Sequence, residues 1–191
     1  MTRVEDGRAF VLLLTGPAGA GQSAAARAWA ALQPGIVAHI ELDSVRDQII
    51  KGFADPRDGW KDEADWQYTI ARQNCADMAR RYVREGVTCL IDDAIFPAWD
   101  RVNMEGWRTA LGDIPHRLIA LLPHFEAVSA RNAQRTGSRL LAPDMLRTIY
   151  DMMEPWRDQS SVPVIDTTSL SIEETAQAIQ RTLDRLPPPR E

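Results

Sequence analysis

The chain has 191 residues, 45% of them apolar and 26% charged, with a net charge of −5 and a sequence pI near 5.3. This is ordinary globular composition, enough for one domain that buries about 70% of its unfolded surface. The acidic balance argues against a surface built to neutralise many nucleic-acid phosphates, though it allows a local basic pocket, and no apolar stretch approaches the roughly twenty residues of a bilayer span.

Glu5 and Asp6 precede an apolar run of about seven residues, too short for a secretory segment, so a cytoplasmic protein is expected. Five short β-rich runs follow along the chain, at residues 10–15, 36–42, 87–92, 117–122 and 162–166. Most are too continuously apolar to keep one face in water, and helix-period segments alternate with them. That pattern predicts an α/β fold, a mainly parallel sheet with helices on both faces.

The first helix is expected over residues 22–32, stopped by Gln33-Pro34-Gly35. A short second helix starts at Asp43 or Ser44. Residues 63–85 form a long helix with Ala64, Tyr68, Ala71, Cys75, Met78 and Tyr82 on one face, closed by Gly86. Two further helices are expected at 100–111 and 125–135. The last begins at Ser171, where Ser171 and Glu174 make a capping box, and carries an apolar stripe of Ile172, Ala176, Ile179 and Leu183. The prolines of 187–189 end it, and residues 187–191 are a tail. We expect one domain, with residues 131–142 as a lid and the polar loop 54–62 facing a substrate.

The chemistry concentrates after the first strand. Gly16-Pro17-Ala18-Gly19-Ala20-Gly21-Gln22-Ser23, followed by Ala24, has the spacing of G-x-x-x-x-G-K-[ST]. Backbone N–H groups of such a loop surround phosphates, and the following helix dipole favours the anion. The hydroxyl of Ser23 suits magnesium. The lysine position is Gln22, an amide that donates hydrogen bonds without bringing charge.

Three other groups belong with the loop. The strand at 87–92 ends in Asp92 and Asp93, at the end of the sheet where ligands gather, with Asp92 the first choice for the metal side and Asp93 the second. Asp43, after the second strand, is either a base for an attacking hydroxyl or the cap of the next helix. Arg131 and Arg135 share a helical face, and Arg139 follows a Thr-Gly-Ser break, which suits a lid closing on phosphates; the alternative is a solvated basic helix end.

His39, His116 and His124 are isolated and read as structural. Cys75 and Cys89 have no metal spacing and imply neither a disulfide framework nor an oxidising compartment. Trp60 and Trp99 lie in loops near the expected crevice and either pack or line a pocket.

In GPAGAGQS, LDSVRDQI, ADMARRYVREGVTCLIDDAIF and VIDTTSLSIEETAQAI, in that order, the chain resembles the chloramphenicol phosphotransferase-like family of small P-loop kinases. The resemblance implies a three-layer P-loop fold with a five-stranded parallel sheet in the order 2-3-1-4-5. It also implies transfer of the ATP γ-phosphoryl group to a small-molecule hydroxyl, with ATP and Mg2+ as cofactors. Asp43 matches the family's base, Gly16, Gly21 and Ser23 its nucleotide loop, Asp92 its magnesium-side acid, and Arg131 or Arg135 its lid arginine. Gln22 departs from the family's lysine. The acceptor does not carry over; residues 54–66 and 95–107 would shape its pocket.

The expected function is an ATP-dependent small-molecule kinase, as a monomer or homodimer without nucleic-acid or membrane partners. Alternatives are a nucleotide-binding protein that has lost transfer chemistry and an ATP hydrolase.

Overall fold

A computed structural model of the chain describes residues 9–137 and 140–187. The five strands are β1 (Val11–Thr15), β2 (Val37–Glu41), β3 (Thr88–Asp92), β4 (His116–Leu121) and β5 (Val164–Ile165). All pair in parallel, in the order β2-β3-β1-β4-β5. The expected topology and all five strands are present. β5 is shorter than the run at 162–166 because Pro163 has no N–H to give; its carbonyl still accepts from the Ala120 N–H at 3.0 Å.

The central strand is buried along its whole length because its alternate side chains serve two cores. Leu12 and Leu14 face a cluster with Ala25, Ala26 and Trp29 of α1 (Gln22–Ala31) and Ala176 and Ile179 of α7 (Ile172–Arg185). Val11 and Leu13 face the larger cluster on the other side. It holds Tyr68, Ala71 and Cys75 of α3 (Asp62–Arg84), Trp107 of α4 (Met104–Leu111), Val128 of α5 (Phe125–Ala133) and Tyr150 of α6 (Pro143–Met153). A short α2 (Leu42–Arg46) directly follows β2.

The long helix keeps Ala64, Tyr68, Ala71 and Cys75 buried, but Met78 and Tyr82 are exposed and Ala76 and Ala79 are buried in their place. α3 touches α2, α4 and β3, so it buries a broader arc than a single stripe, and small alanines allow the close approach. Its C-terminus closes as expected: Gly86 N–H donates to the Val83 carbonyl and Val87 N–H to that of Tyr82.

Two readings change. The helix expected from residue 100 begins at Met104, because the Asn103 side chain accepts from the Gly106 N–H at 3.0 Å and caps it there. α6 and the 3-10 turn Glu154–Asp158 were not anticipated, although Pro143 opens α6 and Leu146, Tyr150 and Met153 recur on its buried face. The capping box of α7 forms in both directions, at 2.8 and 3.1 Å.

Cys75 and Cys89 are free and buried, and burial pushes both thiols up to about 12. Neither is a nucleophile at neutral pH. No helix among the described residues is long and apolar enough to cross a membrane.

Candidate functional site

The glycine loop leaves β1 at the carboxyl edge of the sheet and enters α1. Gly16 passes so close to β4 that a Cβ there would lie 2.2 Å from the Leu121 carbonyl oxygen. Gly21 is the N-cap of α1 with φ 92°, a conformation that favours glycine. No side chain caps this helix end and no acidic residue occupies its first turn, so its amides and dipole are left to an anion. Pro17 and Ala20 close the turn between them, with the Ala20 N–H donating to the Pro17 carbonyl at 2.9 Å.

Gln22 Nε2 donates to the Asp93 carbonyl at 3.3 Å, so the amide in the lysine position ties the loop to the end of β3. Thr15 adds a second tie across the same edge: its hydroxyl donates to the Ile95 carbonyl and accepts from the Ile95 N–H.

β3 delivers two carboxylates with different surroundings. Asp93 is enclosed; Tyr68 Oη and Trp107 Nε1 both donate to its Oδ2, at 2.5 and 2.8 Å. Burial pushes this carboxyl up to about 6, against the two hydrogen bonds, which hold it down. The same burial, with Asp93 beside it, pushes the Tyr68 hydroxyl well above its ordinary value. Asp93 therefore organises α3 and α4 behind the site. Asp92 is also buried, yet its Oδ2 has no hydrogen-bond partner and lies 3.3 Å from the equally unpartnered His39 Nε2.

His39 was expected to be isolated and structural; the strand register brings it beside two carboxylates. Glu41 pairs with Asp92 across β2 and β3, and His39 lies two residues earlier on the same face. His39, Glu41 and Asp92 are the group among the described residues whose ligand atoms come close enough for a metal ion. Sequence spacing cannot show a cluster drawn from two strands, although the alternation His39, Glu41 at the end of a strand was a usable signal. His116 Nδ1 sits 2.8 Å from the Ile114 carbonyl, and His124 stands beside Asp166 at the surface.

Asp43 lies in the first turn of α2, and its side chain is 88% exposed. The protein around it displaces water and raises its pKa; Arg46 opposes this, while Asp47, Asp92 and Glu41 add to it. Water at the exposed carboxylate tip limits that desolvation. Asp43 is not the N-cap of α2; that position belongs to Glu41, without a side-chain bond.

Arg131 projects from α5 onto backbone carbonyls. Its Nη2 donates to Thr167 at 2.8 Å and Thr168 at 3.3 Å, and Nη1 to Gly19 at 3.5 Å, which straps the glycine loop to the segment after β5. Arg131 and Arg135 also line a cavity of about 340 Å³ with Gly19, Gly21, Ala24 and Leu170. Ala20, Ala25, Ser171, Ile172 and Thr175 line it as well, and of these the sequence reading had assigned Ser171 to capping and Ile172 to the apolar stripe. Ser138 and Arg139 lie outside the described residues, and Leu141 beyond them is held by the Asn132 amide in both directions. Trp60 and Trp99 pack edge-on at 4.6 Å, with Tyr68 and Phe96 alongside.

The chain belongs to the AAA domain family, whose model matches residues 11–155. No curated protein matches it. Among solved structures, the unliganded sugar kinase from Janibacter sp. HTCC2649 aligns at 16% identity and a TM-score of 0.67, covering 92% of this chain and 95% of that one. Thymidylate kinase from Candida albicans aligns at 12% identity and 0.66, covering 93% and 92%. The tunicamycin resistance protein of Deinococcus radiodurans aligns at 18% and 0.63, covering 96% and 100%. At identities this low the structural likeness establishes a shared fold and nothing beyond it.

Proposed function

We propose that this chain is an ATP-dependent phosphotransferase that moves the γ-phosphoryl group to a hydroxyl of a small molecule. The observation that carries this reading is the convergence, at one edge of the sheet, of an uncapped glycine loop with Asp43 and Asp92 from the ends of β2 and β3. Kinase neighbours of the same fold, and the resemblance to the chloramphenicol phosphotransferase-like family, support it.

Phosphoryl transfer asks a protein mainly for positioning and charge stabilisation. The loop from Gly16 to Ser23, with Ala24 behind it, would hold the phosphates, and the cavity beside Arg131 and Arg135 would take the rest of the nucleotide. A magnesium ion would be held by the buried Asp92 oxygen, which has no hydrogen-bond partner, and by the Ser23 hydroxyl of the loop; His39 Nε2 lies 3.3 Å from that oxygen, and the neighbouring Glu41 also meets Arg27 and Ser44. Bound there, the ion would neutralise charge on the transferring phosphoryl group. Asp43 accepts the acceptor's hydroxyl proton as its oxygen bonds to the γ-phosphorus and the bond to the ADP oxygen breaks. The aromatic group around Trp60 and Trp99 would line the acceptor pocket.

The test is transfer from labelled ATP to a panel of hydroxyl compounds by the wild type and Asp43→Asn. Equal turnover by both proteins removes Asp43 from the mechanism.

One observation favours a second reading. With Gln22 bonded to a backbone carbonyl, the loop presents no ammonium to the phosphates, as expected of a nucleotide-binding protein with impaired transfer. ADP and ATP binding by calorimetry without product formation selects that reading; phosphate release without an acceptor selects a hydrolase.

A further inference from the structure

A second cavity, of about 230 Å³, opens at the end of the sheet opposite the glycine loop. Phe10, just before β1, and Arg117, the second residue of β4, line it from the sheet. Trp29 in the last turn of α1, Gln33 just beyond it, and Gln180 and Asp184 near the end of α7 line it from the helices. Register pairs Arg117 with Leu12, so its side chain leaves the sheet on the face that α1 and α7 cover. The ten residues of α1 span about 15 Å from the glycine loop to this end, which separates the cavity from the nucleotide site.

The uncharged polar groups here satisfy one another. Gln180 Oε1 accepts from Trp29 Nε1 and from Gln33 Nε2, both at 2.9 Å, and Gln180 Nε2 donates to Asp184 Oδ1 at 2.8 Å. The charged groups are left over. Among the described residues the Arg117 guanidinium has neither a hydrogen-bond nor an ion-pair partner. Protein around it displaces water and lowers its pKa, with no carboxylate to oppose the effect. Asp184 lines the same cavity without pairing with it, and Gln180 is its partner among the described residues. The remaining lining, Leu183 and Leu186, is apolar, as are the rings of Phe10 and Trp29.

We propose that this cavity binds a free amino acid with an apolar side chain, its α-carboxylate on Arg117, its α-ammonium on Asp184 and its side chain against Phe10, Trp29 and Leu183. The volume lies below the roughly 300–1,000 Å³ of pockets for drug-sized ligands, which excludes a nucleotide and suits a molecule the size of leucine. The planar fork of Arg117 takes a carboxylate in a two-point contact. Gln180 already fixes Asp184 through Oδ1, which leaves Oδ2 for an ammonium without further ordering of the side chain. A ligand with one charge would leave one of the two groups unmet; a zwitterion meets both. The proposal stands apart from the kinase reading, because none of these residues belongs to the glycine loop or its carboxylates.

The probe is leucine, and the indole N–H of Trp29, bonded to Gln180, reports occupancy in NMR spectra once Trp29→Phe has assigned its resonance. Leucine at about 10 mM, tenfold over a Kd of about 1 mM, is expected to move that resonance and to raise the Tm by about 4 °C. Both effects should persist with saturating ADP and magnesium. Isocaproate, which lacks the ammonium, isoamylamine, which lacks the carboxylate, and glycine, which lacks the apolar body, should each bind at least tenfold more weakly at constant ionic strength. Arg117→Met and Asp184→Asn should each weaken leucine by at least the same factor, and Asp184→Asn should abolish its advantage over isocaproate.

A Trp29 resonance that stays in place at that leucine concentration overturns the proposal. Equal effects of leucine and isocaproate, or of leucine and glycine, do the same, and so does loss of the leucine effect in ADP, which would put leucine in the nucleotide cavity. Unchanged leucine affinity in Asp184→Asn overturns it even if Arg117→Met does not fold, since Asp184 is exposed and its replacement keeps the bond from Gln180.

Discussion

Gln22 and Asp93 are joined across the glycine loop: the amide Nε2 donates to the backbone carbonyl at the end of β3, 3.3 Å away. The position that would bring a cation to the phosphates instead fixes the loop to the sheet. A lysine there keeps a donor for the same carbonyl and adds charge. We expect Gln22→Lys to raise the transfer rate by about 100- to 1,000-fold, the scale of one charge-stabilising donor in a transition state. Single-turnover rates with labelled ATP measure it, and an unchanged rate would show that charge at residue 22 is not what limits the reaction.

The Asp43 side chain is exposed, in the field of Arg46, Asp47, Asp92 and Glu41. On the proposed mechanism Asp43→Asn removes the proton acceptor and leaves the glycine loop untouched, so kcat should fall by about 100- to 10,000-fold with little change in ATP binding. Calorimetry beside the rate assay separates the two effects. Weakened ATP binding matching the loss in rate would assign Asp43 to nucleotide binding.

Asp93 gives a pH signature. Its carboxyl is raised from 3.8 to about 6 by burial, so the folded protein holds this proton more tightly than the unfolded chain does. The associated stability is therefore present below about pH 4 and is lost as pH rises through about 6, by roughly 3 kcal/mol in all. Asp93→Asn still offers one carbonyl oxygen to both Tyr68 and Trp107 and should flatten this slope. Urea denaturation between pH 4 and 7 measures it, and an unaltered slope in the variant would place the titration elsewhere.

Gly16 carries the tightest contact of the loop. Gly16→Ala puts a methyl group 2.2 Å from the Leu121 carbonyl oxygen, and backbone on both sides leaves little to yield. Overpacking of this kind costs about 1–3 kcal/mol. The Tm should fall and ADP should no longer raise it. A variant that melts and binds ADP like the wild type would show that the loop does not need this close passage.

The sequence determined the layers of this protein because apolar periodicity is a local property. Leu12 and Leu14 alternate with Val11 and Leu13, which requires helices on both faces, and Ser171 with Glu174 starts α7 by bonds that span only three residues. The loop at 16–23 was legible for the same reason, since its glycines answer short-range steric demands. α6 was missed because its opening carries no side-chain cap and the preceding segment reads as a lid. What only the tertiary structure decided is how charge is shared among elements distant in the chain. His39 meets Asp92 because β2 and β3 are in register, and Asp93 becomes a structural acceptor because α3 and α4 bring Tyr68 and Trp107 to it. Arg46 is buried with the Phe53 ring 5.3 Å from its guanidinium, and Gln67 of α3 holds the backbone on either side of that ring. Burial and partnership of a polar group depend on what folds against it, and no spacing along the chain encodes that directly.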